Sequence, residues 1–243
     1  MATGRWEEVA EDYDRIFRKD AYYYDILGMI AARVDGGENV RILDLGCGTG
    51  NITALLRERF PQATVYGVDP ADKMVELAAD RFRADGKVEI WEGEGTRIPF
   101  PPGHFDYVVS NLALHHVLPE QRSLCAAEVA RVLKPGGRLV YSDLFWEVGG
   151  GREDPARCKD IIDKIVAYAL YNLDIGAREM TLFLFEQLPL HLEEKAEYVT
   201  VVEDWLTPLR EAGLSGLEVI IPPHPEFGFK LIQAAKPGGQ ARL

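Results

Sequence analysis

The residues able to do chemistry fall at the ends of apolar runs. Val40-Arg-Ile-Leu-Asp-Leu-Gly-Cys-Gly-Thr-Gly-Asn51 is a short apolar strand entering a loop with Gly46, Gly48 and Gly50, followed by a helix-forming run, Ile52 to Phe60. Glycines turn the backbone sharply and let a ligand approach main-chain N–H groups. The helix start beyond them offers unpaired donors and the positive end of a dipole, so an anionic group, carboxylate or phosphate, is expected there. Asp69 follows the next apolar run, Glu94 and Gly95 the third, and Asn111, Leu112, His115 and His116 the fourth. Open α/β sheets bind ligands at the carboxyl ends of their strands. Two acids and an amide on one rim therefore predict a polyhydroxylated, nitrogen-rich ligand. Asp69, roughly twenty residues past the glycine loop, fits an acceptor of both ribose hydroxyls better than a mere turn cap before Pro70.

The intervening segments must position these groups. Arg5 to Arg18 and Tyr22 to Val34 have helical spacing of apolar residues. The order then reads strand Val40–Leu45, helix Asn51–Phe60, strand Thr64–Val68, helix Asp72–Ala84 and strand Lys87–Trp91. It continues with strand Phe105–Ser110, helix Glu120–Leu133 and strand Arg138–Phe145. Leu124, Ala127, Val129, Val132 and Leu133 are expected to face inward from the last helix. This alternation predicts a parallel sheet covered on both faces. Beyond Gly149-Gly-Gly151 come two apolar-rich helices, Asp154–Tyr171 and Ala177–Leu188, and a short one over Glu193–Val202. Helix Glu203–Ala212 and strands Leu217–Ile221 and Phe227–Ala234 close the sheet. The predicted divisions are 1–148 (N-terminal helices and cofactor-binding core), 149–202 (helical insert), 203–235 (closing helix and strands) and 236–243 (a disordered tail).

Composition narrows the function classes. The chain has 243 residues, 47% hydrophobic and 27% charged, with a net charge of −12. That size fits one α/β domain with an insert, and the acidity gives no basic footprint for nucleic acid and no attraction to an anionic membrane. Cys47, Cys125 and Cys158 have neither metal-ligand nor redox spacing, as expected of reduced thiols in a cytoplasmic protein. Cys47 reads as a small packing residue of the glycine loop, not a nucleophile. No signal peptide, membrane span or metal site is expected.

The loop spacing is G-x-G-x-G, unlike the dinucleotide G-x-G-x-x-G, and the Gly-Lys-Ser/Thr of a phosphate loop is absent. Leu43-Asp-Leu-Gly-Cys-Gly-Thr-Gly50 instead resembles the first motif of class I S-adenosylmethionine-dependent methyltransferases. Val68-Asp-Pro-Ala-Asp-Lys-Met74, Gly93-Glu-Gly-Thr-Arg-Ile-Pro-Phe100, Phe105 to Val117 and Arg131-Val-Leu-Lys-Pro-Gly-Gly-Arg-Leu139 resemble the later motifs in order. The resemblance covers about Arg5 to Phe145 and the final strands. It implies a Rossmann-like, doubly wound, mostly parallel seven-stranded sheet with an antiparallel last strand and a helical lid after the fifth. It also implies S-adenosyl-L-methionine as cofactor. Asp44 and the backbone of Gly46, Cys47 and Gly48 would hold the amino-acid end, and Asp69 the ribose. Pro70 and Met74 would pack on the adenine, with Glu94 and Gly95 beside it; Glu94 stands where the family usually has Asp. Asn111 and Leu112 would line the cofactor near its sulfur, and Tyr13 would close over the methionine end.

The expected activity is direct in-line methyl transfer to a small molecule. The cofactor carries the activated methyl, so the protein must align a nucleophile and exclude water. A base is needed only for a protonated nucleophile. His115, His116 and Tyr13 are the candidates, His191 a remoter one, with helix packing or capping the plain alternative for the histidines. Tyr168, Tyr171, Phe183, Phe185 and Tyr198 of the insert either line an acceptor pocket or pack the insert onto the core, and the apolar Met180-Thr-Leu-Phe-Leu-Phe185 could serve a homodimer. Two other classes stay open: modification of the cofactor itself, as in carboxy-S-adenosylmethionine synthases, and non-catalytic cofactor binding. The first needs a lid cation, for which the stretch His191 to Thr200 offers only Lys195.

Overall fold

Ile42, Leu43 and Leu45 show how the sequence builds the core. Ile42 points into one apolar layer while Leu43 and Leu45 point into the other, and none is more than 2% exposed. A strand apolar on both faces belongs in the middle of a covered sheet, and each such side chain contributes about 2 kcal/mol by burial. The computed structural model describes residues 3–17, 19–35 and 37–238. The strands are β1 (Arg41–Leu45), β2 (Thr64–Asp69), β3 (Val88–Glu92), β4 (Phe105–Asn111), β5 (Leu133–Leu144), β6 (Ser215–Ile220) and β7 (Phe229–Ala235). They form one seven-stranded sheet in the order β3-β2-β1-β4-β5-β7-β6. The first five run parallel and β7 is antiparallel to both neighbours. This is the Rossmann-like arrangement expected, and its order reverses between β1 and β4, where Asp44 pairs with Val109.

Helices α1 (Thr3–Phe17), α2 (Ala21–Ala31) and α3 (Asn51–Arg59) share one face of the sheet with α6 (Pro155–Asp174) and α7 (Arg178–Glu193). Helices α5 (Arg122–Val132) and α8 (Glu203–Glu211) cover the other, while α4 (Asp72–Arg81) packs beside α1 and β3. Asp20 caps α2 by accepting from Tyr23 N–H at 3.0 Å, and the buried Tyr168 hydroxyl donates to its other oxygen, fastening α6 to α2. Asp154 caps α6 through Ala156 N–H at 2.8 Å.

Two expectations are corrected. In α5 the buried residues are Arg122, Cys125, Ala126, Val129, Ala130 and Val132, while Leu124 is 52% exposed and Ala127 is exposed. Val129, Val132 and Leu133 face inward as expected, but at the start of the helix the stripe runs through Cys125 and Ala126 instead of Leu124 and Ala127. Residues 194–202 are not helical. Glu194 and Ala196 have φ of 52° and 65°, and Lys195 N–H closes back on Leu190 O at 3.0 Å, ending α7. Further on, Thr200 bridges Phe145 in parallel. The tail expected to be disordered lies, from residue 239 on, outside the described residues. Among the described residues no helix is long and apolar enough to cross a membrane.

Candidate functional site

At the β1/β4 reversal a cavity of about 430 Å³ opens over the strand ends. Its floor is the loop after β1. Gly46 and Cys47 N–H donate to Val68 O at 2.7 and 3.1 Å, folding the loop onto β2. Gly46 has φ +74°, and a Cβ built there would stand 2.2 Å from Ala113 Cβ. No other residue type leaves this floor clear. Cys47 packs on Gly67, whose added Cβ would lie 2.9 Å from its sulfur; burial raises the thiol pKa well above its usual value.

Asp69 ends β2 with both carboxylate oxygens in use. Gly48 N–H donates to Oδ2 at 2.9 Å and Ala71 N–H to Oδ1 at 3.0 Å, so the acid is fixed at the rim. Pro70 and Met74 follow along the wall, Met74 buried beneath Gly48. Glu94 and Gly95 continue it; Thr96 Oγ1 donates to Glu94 Oε2 at 3.2 Å, and Gly95 leaves room for Cys125 Sγ, 3.1 Å from an added Cβ.

Two groups in this wall have polar atoms with no hydrogen-bond partner. Asp44 is fully buried; Thr53 Oγ1 donates to its Oδ2 at 2.6 Å, while Oδ1 is unpartnered. Burial raises its pKa to about 7, against the Thr53 bond, with Asp69 adding a smaller push upward. Asn111 likewise leaves both its amide oxygen and nitrogen unpartnered and buried. Buried polar atoms are nearly always satisfied, so an acceptor and an amide unpaired on one cavity point to a polar ligand between β1 and β4. Leu112 follows in the left-handed region, φ 50°.

Helix α1 crosses the cavity. Thr49 Oγ1 donates to Asp14 Oδ1 at 2.6 Å, tying α1 to the glycine loop. Tyr13 stacks on Phe17 at 4.3 Å and, with Trp6, lines the cavity. Burial pushes the Tyr13 hydroxyl well above the usual phenol pKa, so it stays protonated.

The histidines separate. His115 does not line the cavity: its Nδ1 faces Asp143 Oδ1 at 2.5 Å and its Nε2 faces Glu197 Oε2 at 3.1 Å. Burial opposes its protonation, yet the two carboxylates raise its pKa to about 10. With both nitrogens engaged, it is not placed to take a proton from a substrate. His116 does reach the cavity, with Nδ1 on Ala196 O at 2.8 Å and its ring edge-on to Trp6 at 5.3 Å. Burial, then His115, lowers its pKa. His191 lies behind, 3.9 Å from Glu197 Oε2.

Of the insert aromatics only Tyr198 lines the cavity; Tyr168 is buried against Phe227 and Phe229, Phe183 meets Phe17, and Phe185 is 43% exposed. Sequence reasoning missed Ala113, Asp143 and Glu197. Asp143 had a signal, an acid inside the apolar run Leu139 to Phe145. Glu197, among the acids of a polar stretch, had none.

Residues 42–137 match the methyltransferase domain family. The chain is 33% identical over 139 residues to an uncharacterised methyltransferase of Geobacillus sp. (strain WCH70), covering 57% of this chain and 62% of that one. It is 41% identical over 101 residues to a demethylmenaquinone methyltransferase of Thermus thermophilus, covering 41% and 45%. The chain spans 62 to 65% of the length of the first curated relatives. Its fold matches a SAM-dependent methyltransferase of Thermotoga maritima with a TM-score of 0.64 at 18% identity, over 97% of this chain and 100% of that one.

Proposed function

We propose that this chain, which resembles the class I methyltransferases in motifs and fold, is an S-adenosylmethionine-dependent methyltransferase of a small-molecule acceptor. The observation that carries the reading is the pair of unsatisfied groups, Asp44 Oδ1 and the Asn111 amide, on the cavity that Gly46 keeps clear. Their chemistry fits the amino-acid end of the cofactor: a carboxylate for its ammonium, and an amide beside it. The fixed carboxylate of Asp69 retains lone pairs for ribose hydroxyls, since each oxygen can accept twice, and Met74 and Pro70 give an apolar wall for the adenine.

When bound, the cofactor supplies the activated methyl group. The chain's residues orient and enclose. Gly46 and Asp69 set the position, Tyr13 and Trp6 cover it from α1, and Tyr198 and His116 bound the remaining space for an acceptor. His116, Tyr13 and Tyr198 are polar side chains that line the cavity, while His115 is held behind it. Enclosure by α1 and the 194–198 segment supports a small acceptor and excludes water around the transfer. Cofactor modification is less favoured, because Lys195 is 67% exposed, pairs with Glu193 and does not line the cavity. Cytoplasmic residence is part of the proposal, on three free cysteines. Exposed Leu170, Leu173, Leu182 and Phe185 on α6 and α7 support a homodimer through the insert, which light scattering of the purified chain would test.

Mass spectrometry of ligand released from the purified protein tests the proposal. S-adenosylmethionine or S-adenosylhomocysteine is expected. A carboxylated cofactor would favour the second reading, and a different nucleotide would overturn the first.

A further inference from the structure

Three imidazoles converge on one buried carboxylate behind the cavity wall. Glu197 Oε2 lies 3.1 Å from His115 Nε2, 3.9 Å from His191 Nδ1 and 4.0 Å from His116 Nδ1. Donor atoms of His115, His116 and Glu197 all lie within 4.8 Å of one another. The side chains of His115, His191, Glu197 and Asp143 are each no more than 8% exposed. They come from four places in the chain: the short 3₁₀ turn Leu114–His116, the last turn of α7, the segment after it, and the end of β5.

We propose that His115, His116, His191 and Glu197 form a closed four-ligand site for one divalent transition metal, zinc by its ligand chemistry. Tetrahedral zinc with bonds of about 2.0–2.2 Å sets its ligand atoms about 3.4 Å apart. The distances of 3.1, 3.9 and 4.0 Å from Glu197 Oε2 bracket that spacing; on binding, the donor atoms of His115, His116 and Glu197 would draw in from within 4.8 Å and His191 would turn in as the fourth ligand. In the process His116 Nδ1 exchanges Ala196 O for the metal. Imidazoles with one carboxylate suit zinc, whereas calcium and magnesium prefer all-oxygen shells. Charge agrees: Asp143 and Glu197 flank His115 as two buried carboxylates, and a divalent cation that takes the place of the His115 proton would leave that pair neutral.

Asp143 completes the pattern from behind. It takes the Nδ1 side of His115 at 2.5 Å and the His115 backbone N–H at 3.0 Å, leaving Nε2 to the metal. Metal-bound histidines are typically oriented by such a carboxylate. Four protein ligands leave no open position, so the site is a clamp and not a reaction centre. It would pin the 194–198 segment, where Tyr198 N–H already donates to His115 O at 3.0 Å, onto the rim that His116 and Tyr198 present to the cavity. This inference is independent of the methyltransferase reading.

The test is elemental analysis of the full-length chain after chelator dialysis and zinc add-back, with cobalt as spectroscopic substitute. One equivalent of zinc retained through gel filtration, and an intense four-coordinate cobalt spectrum, are expected. Glu197→Gln and His191→Gln should each weaken zinc binding more than tenfold, and Asp143→Asn by about 10- to 100-fold. Substoichiometric zinc, or binding equal in parent and Glu197→Gln, overturns the site. Should the variants not fold, cobalt added to the parent decides: a six-coordinate or absent spectrum overturns it.

Discussion

The backbone N–H of Gly48 donates to Asp69 Oδ2 at 2.9 Å, so the loop leaving β1 is tied to the acid ending β2. With Ala71 N–H on the other oxygen, the carboxylate is aimed before any ligand arrives. A group held in place loses little conformational freedom on binding, which favours affinity. The same bond explains the second glycine of the loop: Gly48, at φ +52°, presents its N–H to Asp69 from a conformation other residues adopt at a cost.

Gly46→Ala should destabilise the chain by about 2–4 kcal/mol, from left-handed strain plus the overlap with Ala113. That corresponds to a Tm lower by roughly 5–15 °C. Ala113→Gly in the same chain should restore part of the loss, since the contact is 2.2 Å between the two Cβ positions. Thermal melts of the two single variants and the double variant check this; a fully additive result would refute the contact.

If the proposed site holds the cofactor's amino group at Asp44, binding should depend on pH. Its pKa in the free protein is raised to about 7, chiefly by burial. A cationic amino group at Oδ1 would lower that value, so binding releases a proton. Affinity should climb by up to about tenfold per pH unit below pH 7 and level off above it. For the free protein the sign is the reverse. The folded state holds the proton more tightly than the unfolded state, so this group's contribution to stability falls as pH rises from the ordinary Asp value, about 4, to about 7. Calorimetric titrations across that range, with Asp44→Asn flat in both respects, provide the check.

Much of this was legible in the sequence. The strand ends carrying Gly46, Asp69, Glu94 and Asn111 follow from apolar runs punctuated by turn residues, and the seven-stranded order agrees with the resemblance. What was not legible depends on long-range packing. On α5, Val129 and Val132 face inward as read, but the smaller Cys125 and Ala126 pack inward where local hydrophobicity favoured Leu124, which is exposed. Within residues 194–202 only the start, Glu194 to Glu197, favours helix; the left-handed Glu194, the β-branched run Val199 to Val202 and the pairing of Thr200 with Phe145 take the segment out of helix. Adjacent His115 and His116 look alike in sequence; only their partners, Asp143 and Glu197 for one and Ala196 O for the other, separate their surroundings.

Tyr141 is fully buried on β5 and its hydroxyl has no hydrogen-bond partner. An unsatisfied buried hydroxyl is a cost. Tyr141→Phe should therefore leave stability unchanged or raise it by about 1 kcal/mol. Denaturant unfolding measures this, and a loss above that size would mean the hydroxyl has a partner, such as a bound water.

Tyr13 and Phe185 separate cavity-lining from surface aromatics. Tyr13→Ala should weaken S-adenosylhomocysteine binding about tenfold, the equivalent of 1.4 kcal/mol. Tyr13→Phe keeps the stacked ring and should stay near the parent. Phe185, 43% exposed on α7, should tolerate Ala with little change. Equal weakening by Tyr13→Ala and Phe185→Ala would contradict the cavity's assignment.

The most direct measurement is calorimetric titration of the full chain with S-adenosylmethionine and S-adenosylhomocysteine, repeated with Asp69→Ala. Binding of one equivalent of each is predicted, weakened at least tenfold when the carboxylate fixed by Gly48 and Ala71 is removed. No binding of either ligand, or binding that Asp69→Ala leaves unchanged, would contradict the account.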